Sequence, residues 1–305
     1  MTDFNLDSIP SQQGRIAIVT GANTGLGYET ALNFARKEMT VVMACRNRAK
    51  AEKAKADIEA EVPGADLAFL PIDLTDLSSV REFAKVFCEK YDRLDLLVNN
   101  AGIMFPPYAK TVDGFESQMG VNYFGHFLLT ALLLEWMPDR AESRVVSLSS
   151  GAHRAAQGIN FEDLQSEKHY SKFGAYAQSK LACLMFGDEL QRRLAKAGKK
   201  ILSVSAHPGM SPTELARYMP MYQLMFLRVT VAPFFMHGVE QAALPTVMAA
   251  LRADVQGGDY FGPQGVLELK GKPGRVGKAR TVEDLDAAGQ LWEVSETLTE
   301  CTFPI

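Results

Sequence analysis

The sequence predicts an α/β protein, a single doubly wound domain whose central, mostly parallel sheet of about seven strands carries helices on both faces. Short apolar runs rich in β-branched residues alternate with segments of helical periodicity from residue 15 to residue 206. A glycine-rich turn joins the first apolar run to the first helical segment. The 305 residues contain no linker-like composition, repeat or low-complexity tract that would divide them into two domains.

The elements follow one another in a regular order. RIAIVT is the first β-branched run, and the glycine-rich GANTGLG follows it. A segment of helical periodicity then leads to TVVMAC, the second run, and together these segments predict a βαβ unit. Strands are predicted at 15–20, 40–45, 67–72, 94–99, 144–149 and 201–206. Helical periodicity predicts a first helix ending near 37 and further helices near 48–61, 77–91, 173–197, 238–252 and 284–297, with a long one inside 114–134. Helices between consecutive strands are typical of right-handed parallel crossovers.

The last third of the chain departs from this rhythm. After a core at 14–210 we expect an irregular apolar cap at 211–240, then a C-terminal part at 241–305 that contains helices and a Gly/Pro-rich stretch at 257–277. Within the cap, Met219 to Met236 are rich in methionine and aromatic residues, which suit an adaptable apolar pocket wall. This segment is predicted to be a substrate lid, an oligomer surface or a helix that touches a membrane.

Composition and charge exclude several classes of protein. The hydrophobic fraction of 47% and the charged fraction of 22% are typical of globular chains and not of disordered ones. With 32 basic and 36 acidic residues and no basic run, the chain lacks the positive charge that a nucleic-acid partner requires. The histidines and cysteines show no metal-ligand spacing, so we expect no metal and reduced thiols.

The location of the protein is inferred from its apolar segments. The first thirteen residues are polar and lack the pattern of a secretory signal. The apolar run from Met219 to Met236 contains Arg228 and two prolines, so a transmembrane segment is not expected. We expect a cytoplasmic protein, monomeric or homo-oligomeric, for which peripheral membrane contact stays open.

The glycine-rich turn is the first candidate binding site. Gly21, Gly25 and Gly27 lie where the first strand turns into the first helix. Glycines there let the backbone approach a pyrophosphate, whose charge is held by the exposed amides of the helix N-terminus. The spacing lacks the GK[ST] of P-loop proteins, which disfavours an NTPase. The turn therefore predicts a dinucleotide site, with a plain structural turn as the alternative.

The ends of the next two strands bear on the choice of cofactor. A carboxylate about 20 residues beyond the glycines would bind the 2′-hydroxyl of NAD, but the sequence there reads ACRNR. Arg46 is suited to a 2′-phosphate and favours NADP(H), whereas the alternative is that Arg46 and Arg48 are solvated residues opening a helix. Asp73 and Leu74 follow the third strand and are candidates for an adenine contact, although Asp73 is equally suited to a helix cap.

A second group of residues is suited to chemistry. Tyr176 and Lys180 lie four apart on one face of a helix, where a fixed positive charge favours the phenolate. Ser150 follows the fifth strand, at the edge where doubly wound sheets bind ligands, and its hydroxyl is suited to hold a substrate carbonyl. Asn122, in the preceding helix, is suited to hold a water in a proton path. The alternatives are a surface Tyr-Lys pair, a serine turn at Ser150 and a polar contact inside the helix at Asn122.

These features occur together and in one order, from GANTGLG through NNAG at 99–102, Asn122, Ser150, Tyr176 and Lys180 to HPGMSPT at 207–213. In this combination the chain resembles the short-chain dehydrogenase/reductase superfamily over about residues 14–213. The runs VVMACRN, VNYFGHFLLT, SSGAHR and YAQSKLA are most similar to the branch of retinol dehydrogenases, WW-domain oxidoreductases and protochlorophyllide reductases. The resemblance implies a Rossmann fold and hydride transfer between NADP(H) and a carbonyl or alcohol.

The resemblance also implies roles for the matching residues. Tyr176 would donate and accept the proton, Lys180 would support it and bind the ribose, Ser150 would orient the carbonyl, and Asn122 would hold a water. Ser150 and Tyr176 would therefore contact the substrate as well. The cofactor would be bound by Gly21, Asn23, Thr24, Gly25, Leu26, Arg46, Asp73, Leu74, Asn100, Ala101, Gly102, Tyr176, Lys180, Pro208, Gly209, Ser211 and Thr213.

The predicted function is an NADP(H)-dependent carbonyl reductase or alcohol dehydrogenase for a bulky hydrophobic substrate, such as a steroid, retinoid or terpenoid. The apolar cap and the run from Gly102 to Phe105 would form opposite walls of its pocket. Two alternatives stay open. One is a non-catalytic NADP(H)-binding redox sensor, and the other is a reductase of an activated C=C bond with Tyr176 as the proton donor.

Overall fold

One sheet runs through the residues that the computed structural model describes, 4–210 and 238–305. The strands are β1 (Ile16–Thr20), β2 (Thr40–Cys45), β3 (Leu67–Pro71), β4 (Leu96–Asn99), β5 (Arg144–Leu148), β6 (Leu202–Ala206), β7 (Tyr260–Pro263) and β8 (Pro273–Arg275). Their order is β3-β2-β1-β4-β5-β6-β7-β8, and every neighbouring pair is parallel except β7 and β8. The predicted mostly parallel sheet is confirmed.

Helices cover both faces of this sheet. They are α1 (Gly25–Ala35), α2 (Arg48–Glu61), α3 (Leu77–Lys90), α4 (Ser117–Met119), α5 (Gly125–Leu133), α6 (Lys172–Lys196), α7 (Val239–Leu251) and α8 (Leu285–Leu298). A π-helical turn joins α4 to α5 at Gly120–Phe124, and 3-10 turns lie at Leu6–Ser8, Leu134–Trp136, Gly151–Ala155, Phe161–Asp163, Val266–Glu268 and Arg280–Glu283. Helices α1, α2 and α7 pack on one face, and α3, α5, α6 and α8 pack on the other. The doubly wound prediction is therefore confirmed.

The composition of β1 follows from its central position. Ala17, Ile18 and Val19 are completely buried, with Ile18 in the core on one face and its two neighbours in the core on the other. Successive side chains of a strand point to opposite faces, so a strand with helices on both sides needs an apolar residue at every position. This requirement explains why the strand was recognisable as an uninterrupted apolar run.

The chain winds in both directions from β1. Strands β2 and β3 lie to one side of it, whereas β4 and all later strands lie to the other. The carboxyl ends of β1 and β4, at Thr20 and Asn99, therefore flank the point where the winding direction reverses. Open α/β sheets bind ligands in the crevice at this point.

The structure defines the start of one predicted helix and adds two strands to the predicted elements. The helix predicted inside 114–134 begins at Ser117, because the Glu116 carboxylate caps it by accepting the N–H groups of Gln118 and Met119, each at 2.9 Å. The Gly/Pro-rich stretch at 257–277 contains β7 and β8, which bring the sheet to eight strands. The predicted cap, including Met219 to Met236, falls almost entirely outside the described residues. Within the described ranges, no helix has the length and apolar character needed to cross a membrane.

The C-terminal helix α8 fixes the position of α6. Trp292 of α8 is 1% exposed and stacks on Phe186 of α6 with ring centres 5.9 Å apart. The ring of Phe303 lies 4.3 Å from Trp292, and the guanidinium of Arg193 lies over the indole at 4.4 Å. Clusters of aromatic rings contribute large buried areas and preferred geometries, so α6 is held from this side.

Candidate active site

The glycine-rich turn has a backbone that only glycine accommodates. Gly21 has φ of +68° and donates its N–H to Ala44 O at 2.8 Å, and Gly25 has φ of +57° where α1 begins. A Cβ on Gly27 would lie 2.3 Å from the carbonyl oxygen of Gly21. The first turn of α1 is therefore packed directly against the end of β1.

The remaining residues of the turn surround the start of α1. Thr24 occupies the N-cap position with an extended backbone and makes no side-chain bond to the helix amides. Asn23 is half-buried, and the side chain of Leu26 is buried in the core. The N-terminal amides of α1 thus face the reversal point without a side-chain cap, an arrangement that suits an anion.

The segment after β4 lies directly beside this turn. The hydroxyl of Thr20 accepts the N–H groups of Asn100 and Ala101, each at 2.9 Å. Asn100 Nδ2 donates to Thr20 O at 2.6 Å, and a Cβ on Gly21 would lie 3.2 Å from Ala101 Cα. The two predicted cofactor-binding segments are therefore joined by hydrogen bonds at the reversal point.

Tyr176 and Lys180 lie on the inner face of α6. They are 3% and 5% exposed, and Lys180 Nζ lies 5.8 Å from the centre of the Tyr176 ring. The ammonium group donates to Leu148 O at 3.0 Å, at the end of β5. A Cβ on Gly102 would lie 3.5 Å from the same nitrogen. Lys180 therefore brings together α6, β5 and the segment after β4, so the alternative of a surface pair is wrong.

Asn122 lies in the π-helical turn and uses its side chain to hold neighbouring segments. Its Oδ1 accepts the N–H of Ile103 at 2.8 Å, and its Nδ2 donates to Ile103 O at 3.1 Å and to Ser179 Oγ at 2.9 Å. Both amide hydrogens thus have protein acceptors. A Cβ on Gly102 would lie 3.1 Å from Oδ1. The polar contact considered as the alternative for Asn122 is therefore present, next to Lys180.

Ser150 begins the 3-10 turn at Gly151–Ala155, which packs against α6. Its Oγ accepts the N–H of Ala152 at 3.2 Å, which is the serine turn considered above. Its carbonyl oxygen accepts both the N–H of His153 at 3.0 Å and the ring Nδ1–H at 2.6 Å. Since Oγ acts as an acceptor in this turn, the hydroxyl hydrogen can still be donated to a ligand.

Arg46 and Asp73 lie side by side at the ends of β2 and β3. Arg46 Nη1 is 3.6 Å from Asp73 Oδ2, and the arginine side chain is 69% exposed. Asp73 Oδ1 accepts the N–H and the hydroxyl of Thr75, at 2.9 Å and 2.7 Å, in an Asx turn. The side chain of Leu74 packs into the core beside Gly125, so an adenine would contact Leu74 through its backbone.

The segment after β6 is fixed by a buried histidine. His207 is 1% exposed, its Nδ1 accepts the N–H of Gly209 at 3.3 Å, and its Nε2 lies 3.2 Å from a carboxylate oxygen of Glu268. Gly209 has φ of +73°, and a Cβ there would lie 2.4 Å from Leu269 O. Pro208 and Gly209 are thus held at the carboxyl edge of the sheet. Ser211 and Thr213 fall outside the described residues.

Phe105 contacts the catalytic candidate Tyr176. The two rings meet edge to face with centres 5.3 Å apart, and Phe173 lies 5.9 Å from Phe105 on the other side. Phe105 has the left-handed φ of +61°, and its N–H donates to Gln118 Oε1 at 3.0 Å. The wall expected near Gly102 is therefore an aromatic surface beside the phenol.

Sequence reasoning missed three buried supporting residues: Gln118, His126 and His153. Each is polar and at most 4% exposed. For the two histidines the available signal was their spacing from site residues: His126 follows Asn122 by one helical turn, and His153 follows Ser150 within the 3-10 turn. Burial lowers the pKa of both histidines to about 4.

Comparisons with known proteins agree with this geometry. A sequence model of the family described as short chain dehydrogenase matches residues 15–221. The chain belongs to the short-chain dehydrogenase family. It is 41% identical to human retinol dehydrogenase 13 over 95% of this chain and 86% of that protein. It is 42% identical to mouse retinol dehydrogenase 12 over 92% of this chain and 85% of that protein. The predicted resemblance to the retinol dehydrogenase branch is confirmed.

Solved structures of other proteins share the fold. A crystal structure of an uncharacterized protein from Mycobacterium Paratuberculosis matches with a TM-score of 0.81 and 40% identity, over 100% of both chains. A short chain dehydrogenase from Shigella flexneri complexed with NADP matches with a TM-score of 0.62 and 22% identity, over 81% of this chain and 96% of that one. Family membership makes this short-chain dehydrogenase an oxidoreductase of alcohol or carbonyl substrates.

Proposed function

We propose that this short-chain dehydrogenase transfers a hydride between NADP(H) and the carbonyl or alcohol of a bulky hydrophobic substrate. The observation that carries the proposal is the position of the Lys180 ammonium group. It donates to Leu148 O at 3.0 Å, lies 5.8 Å from the centre of the Tyr176 ring and adjoins Gly102. A phenol, a cation and close-approach backbone therefore meet at the sheet edge, beside the glycine-rich turn.

The turn and the strand ends fit a dinucleotide with a 2′-phosphate. Gly21 and Gly27 keep side chains away from the start of α1, where uncapped amides would hold the pyrophosphate. The exposed guanidinium of Arg46 lies at the end of β2 and would hold the 2′-phosphate. The NADP named for the Shigella flexneri structure supports this choice. NADP(H) would supply or accept the hydride.

Each candidate residue then has a task on the substrate side. Tyr176 holds the proton at Oη and gives it to the carbonyl oxygen in reduction, or takes it from the alcohol in oxidation. The Lys180 ammonium stabilises the phenolate that remains after this transfer. Ser150 donates its hydroxyl hydrogen to the same substrate oxygen. The Asn122 side chain uses two of its bonding positions on Ile103 and one on Ser179, so the water-holding task would fall to the second lone pair of Oδ1.

The walls near Tyr176 support an apolar substrate. Phe105 lies against the phenol ring, and Phe173, with half of its surface exposed, extends the same aromatic surface. Such a surface excludes water from one side of the reacting oxygen and favours flat or conjugated apolar groups. Because the relatives reported above carry the name retinol dehydrogenase, retinol-like alcohols and aldehydes are the first substrate class to test. The lid role of 211–240 stays part of this proposal.

The test combines cofactor binding with turnover. Purified protein is titrated with NADPH and NADH by nicotinamide fluorescence, and retinaldehyde and bulky ring ketones are then added to the same samples. We expect NADPH to bind at least about tenfold more tightly and to be consumed. Tight binding without consumption would favour the redox sensor, and new C–H bonds at a C=C position would identify the alternative reductase.

A variant pair tests the role of Tyr176. Tyr176→Phe should lower kcat by about a hundredfold or more, because the proton donor is lost while the ring remains. Tyr108→Phe is the matched control, since Tyr108 is 40% exposed and its ring contacts Tyr170 instead of the catalytic candidates. A loss of less than tenfold for Tyr176→Phe would exclude the assigned role.

A further inference from the structure

His126 lies at the centre of a chain of hydrogen bonds that the proposed mechanism does not use. The residue is 4% exposed, in the first turn of α5. Its Nδ1 is 3.0 Å from the carbonyl oxygen of Asn122, and its Nε2 is 2.9 Å from the hydroxyl oxygen of Thr20. The ring thus joins the end of β1, beside the glycine-rich turn, to the π-helical turn that contains Asn122.

The direction of each bond follows from donor and acceptor chemistry. A carbonyl oxygen only accepts, so Nδ1 must carry a proton to bond Asn122. Burial lowers the pKa of His126 to about 4, which keeps the ring neutral and leaves Nε2 as an acceptor. The Thr20 hydroxyl can donate to Nε2 because its oxygen already accepts the N–H groups of Asn100 and Ala101. The other acceptor near this hydroxyl, Val98 O, is farther away at 3.3 Å.

The peptide at the other end of this chain lies in an irregular part of the helix. Asn122 sits inside a π-helical turn, a rare conformation that persists where tertiary contacts hold it. Its carbonyl accepts from His126 and from the thiol of Cys183 at 3.2 Å, while its side chain holds Ile103 and Ser179. A rotation of this peptide would displace the side chain that lies against Gly102 and its neighbour Lys180.

We propose that His126 is a positioning residue, whose Nδ1–H tautomer is fixed by the Asn122 carbonyl and matched by the donating Thr20 hydroxyl, and whose ring holds the Asn122 peptide in the geometry that the reaction requires. This inference rests on the proposed function, because it assigns His126 an effect on the step in which Asn122 and Lys180 take part. The same ring ties that step to the cofactor side of the site through Thr20. Substitutions of His126 and of Thr20 should therefore affect turnover through the same chain of hydrogen bonds.

Two substitutions of His126 separate the two ends of the ring. In His126→Asn, the amide NH2 lies near the position of Nδ1 and can still donate to Asn122 O. In His126→Gln, the amide lies near the position of Nε2 and reaches Thr20 instead. We expect His126→Gln to lower kcat by about tenfold or more. The kcat of His126→Asn should be at least about tenfold higher than that of His126→Gln. The Kd for NADPH should change less than about threefold in both, because Thr20 keeps its bonds to the amides after β4. Equal kcat losses in the two variants, or losses that follow the melting temperature, would overturn the proposal.

Substitutions of Thr20 test the same path from the cofactor side. Thr20→Val removes the hydroxyl and should lower kcat and also weaken NADPH binding, whereas Thr20→Ser keeps the hydroxyl and should retain most of both. This pair decides the question even where a His126 variant does not fold. In the double variant of Thr20→Val and His126→Gln, the kcat losses should not multiply, because both changes break one path. Multiplicative losses, or a Thr20→Val protein with the kcat of the wild type, would contradict the inference.

A spectroscopic readout separates this inference from the proposed function. Long-range proton–nitrogen correlation spectra of protein labelled with 15N-histidine report which ring nitrogen carries the proton, and His126→Asn assigns the signal. We expect a neutral Nδ1–H ring that does not titrate between pH 8 and about 5.5. In Thr20→Val the tautomer should be the same, with a shifted Nε2 resonance, because Asn122 still accepts from Nδ1 while Nε2 has lost its donor. An Nε2–H ring, or a ring that titrates near neutral pH, would refute the inference. A wild-type protein that turns over no substrate in the panel would refute the proposed function instead.

Discussion

Arg46 offers a quantitative test of cofactor choice, through the substitution Arg46→Ala. In the structure its guanidinium is 69% exposed and lies 3.6 Å from Asp73, a surface pair that is worth at most about 1 kcal/mol. Charge-assisted hydrogen bonds to a 2′-phosphate contribute about 1.5–3 kcal/mol. The difference of about 0.5–2 kcal/mol predicts that Arg46→Ala raises the Kd for NADPH by about 2–30-fold. The Kd for NADH, which lacks the phosphate, should stay within about twofold.

The assay is a fluorescence titration of both cofactors at low and high salt. The NADPH affinity of the wild type should fall with salt more steeply than that of Arg46→Ala, because the exposed charge pair is screened. Arg48→Ala is the matched control, since this neighbouring guanidinium lies over the Phe69 ring at 4.9 Å and pairs with Glu52. Equal losses of NADPH and NADH affinity in Arg46→Ala, or a loss confined to Arg48→Ala, would refute the assignment.

Three further outcomes follow from the described contacts. Phe105→Ala should lower kcat/KM for slender conjugated aldehydes relative to bulky ring ketones by about tenfold, since it removes the wall beside the phenol; an unchanged ratio would exclude Phe105 from the pocket. Trp292→Ala should cost about 3–5 kcal/mol of unfolding free energy in urea, because it empties the contact between α8 and α6; a loss below about 1 kcal/mol would contradict this packing. The pKa of His153 in the folded protein, about 4, lies below its ordinary value. As the pH falls, the unfolded chain is therefore protonated at this residue before the folded protein is. Stability should therefore fall from pH 6.5 towards pH 4, by up to about 1.4 kcal/mol per unit for this group, and less steeply in His153→Asn when both are unfolded in urea at pH 7 and pH 5.

The parts of the fold that were predictable depend on local pattern. Strands β1, β2, β4, β5 and β6 are buried along nearly their whole length, and β3 is partly exposed at the edge of the sheet. All six were predictable as short apolar runs, and the intervening helices of the doubly wound order follow from periodicity. The glycine-rich turn was predictable for a related reason. Its positive φ angles at Gly21 and Gly25 favour glycine, and the close approach at Gly27 leaves no room for a Cβ, so residue type and conformation correspond directly.

The parts that were missed depend on contacts between distant segments. The π-helical turn is held by bonds from Asn122 to Ile103 and Ser179, which lie 19 and 57 residues away, and a helical periodicity carries no sign of them. Strands β7 and β8 were not predicted because they are short and lie in a Gly/Pro-rich stretch. The edge strand β8 contains no large apolar residue. The packing of the Leu74 side chain against Gly125 is another contact that the sequence did not show, and the adenine contact predicted for Leu74 stays a prediction.

The C-terminal part of the chain supports the site, although the family model ends at residue 221. His153 clamps the carbonyl of Ser150 with its Nδ1 and accepts the N–H of Ala279 with its Nε2 at 3.3 Å. Arg154, the next residue, donates to Glu268 at 3.0 Å and to the carbonyl of Gly277 at 2.6 Å. The 3-10 turn that begins with Ser150 is therefore held by residues more than a hundred positions later. Because Glu268 also lies 3.2 Å from His207, the same contacts link the serine turn to the segment after β6. If Ser150 has its proposed role, a change in the C-terminal part should therefore alter the orientation of the substrate oxygen as well as stability.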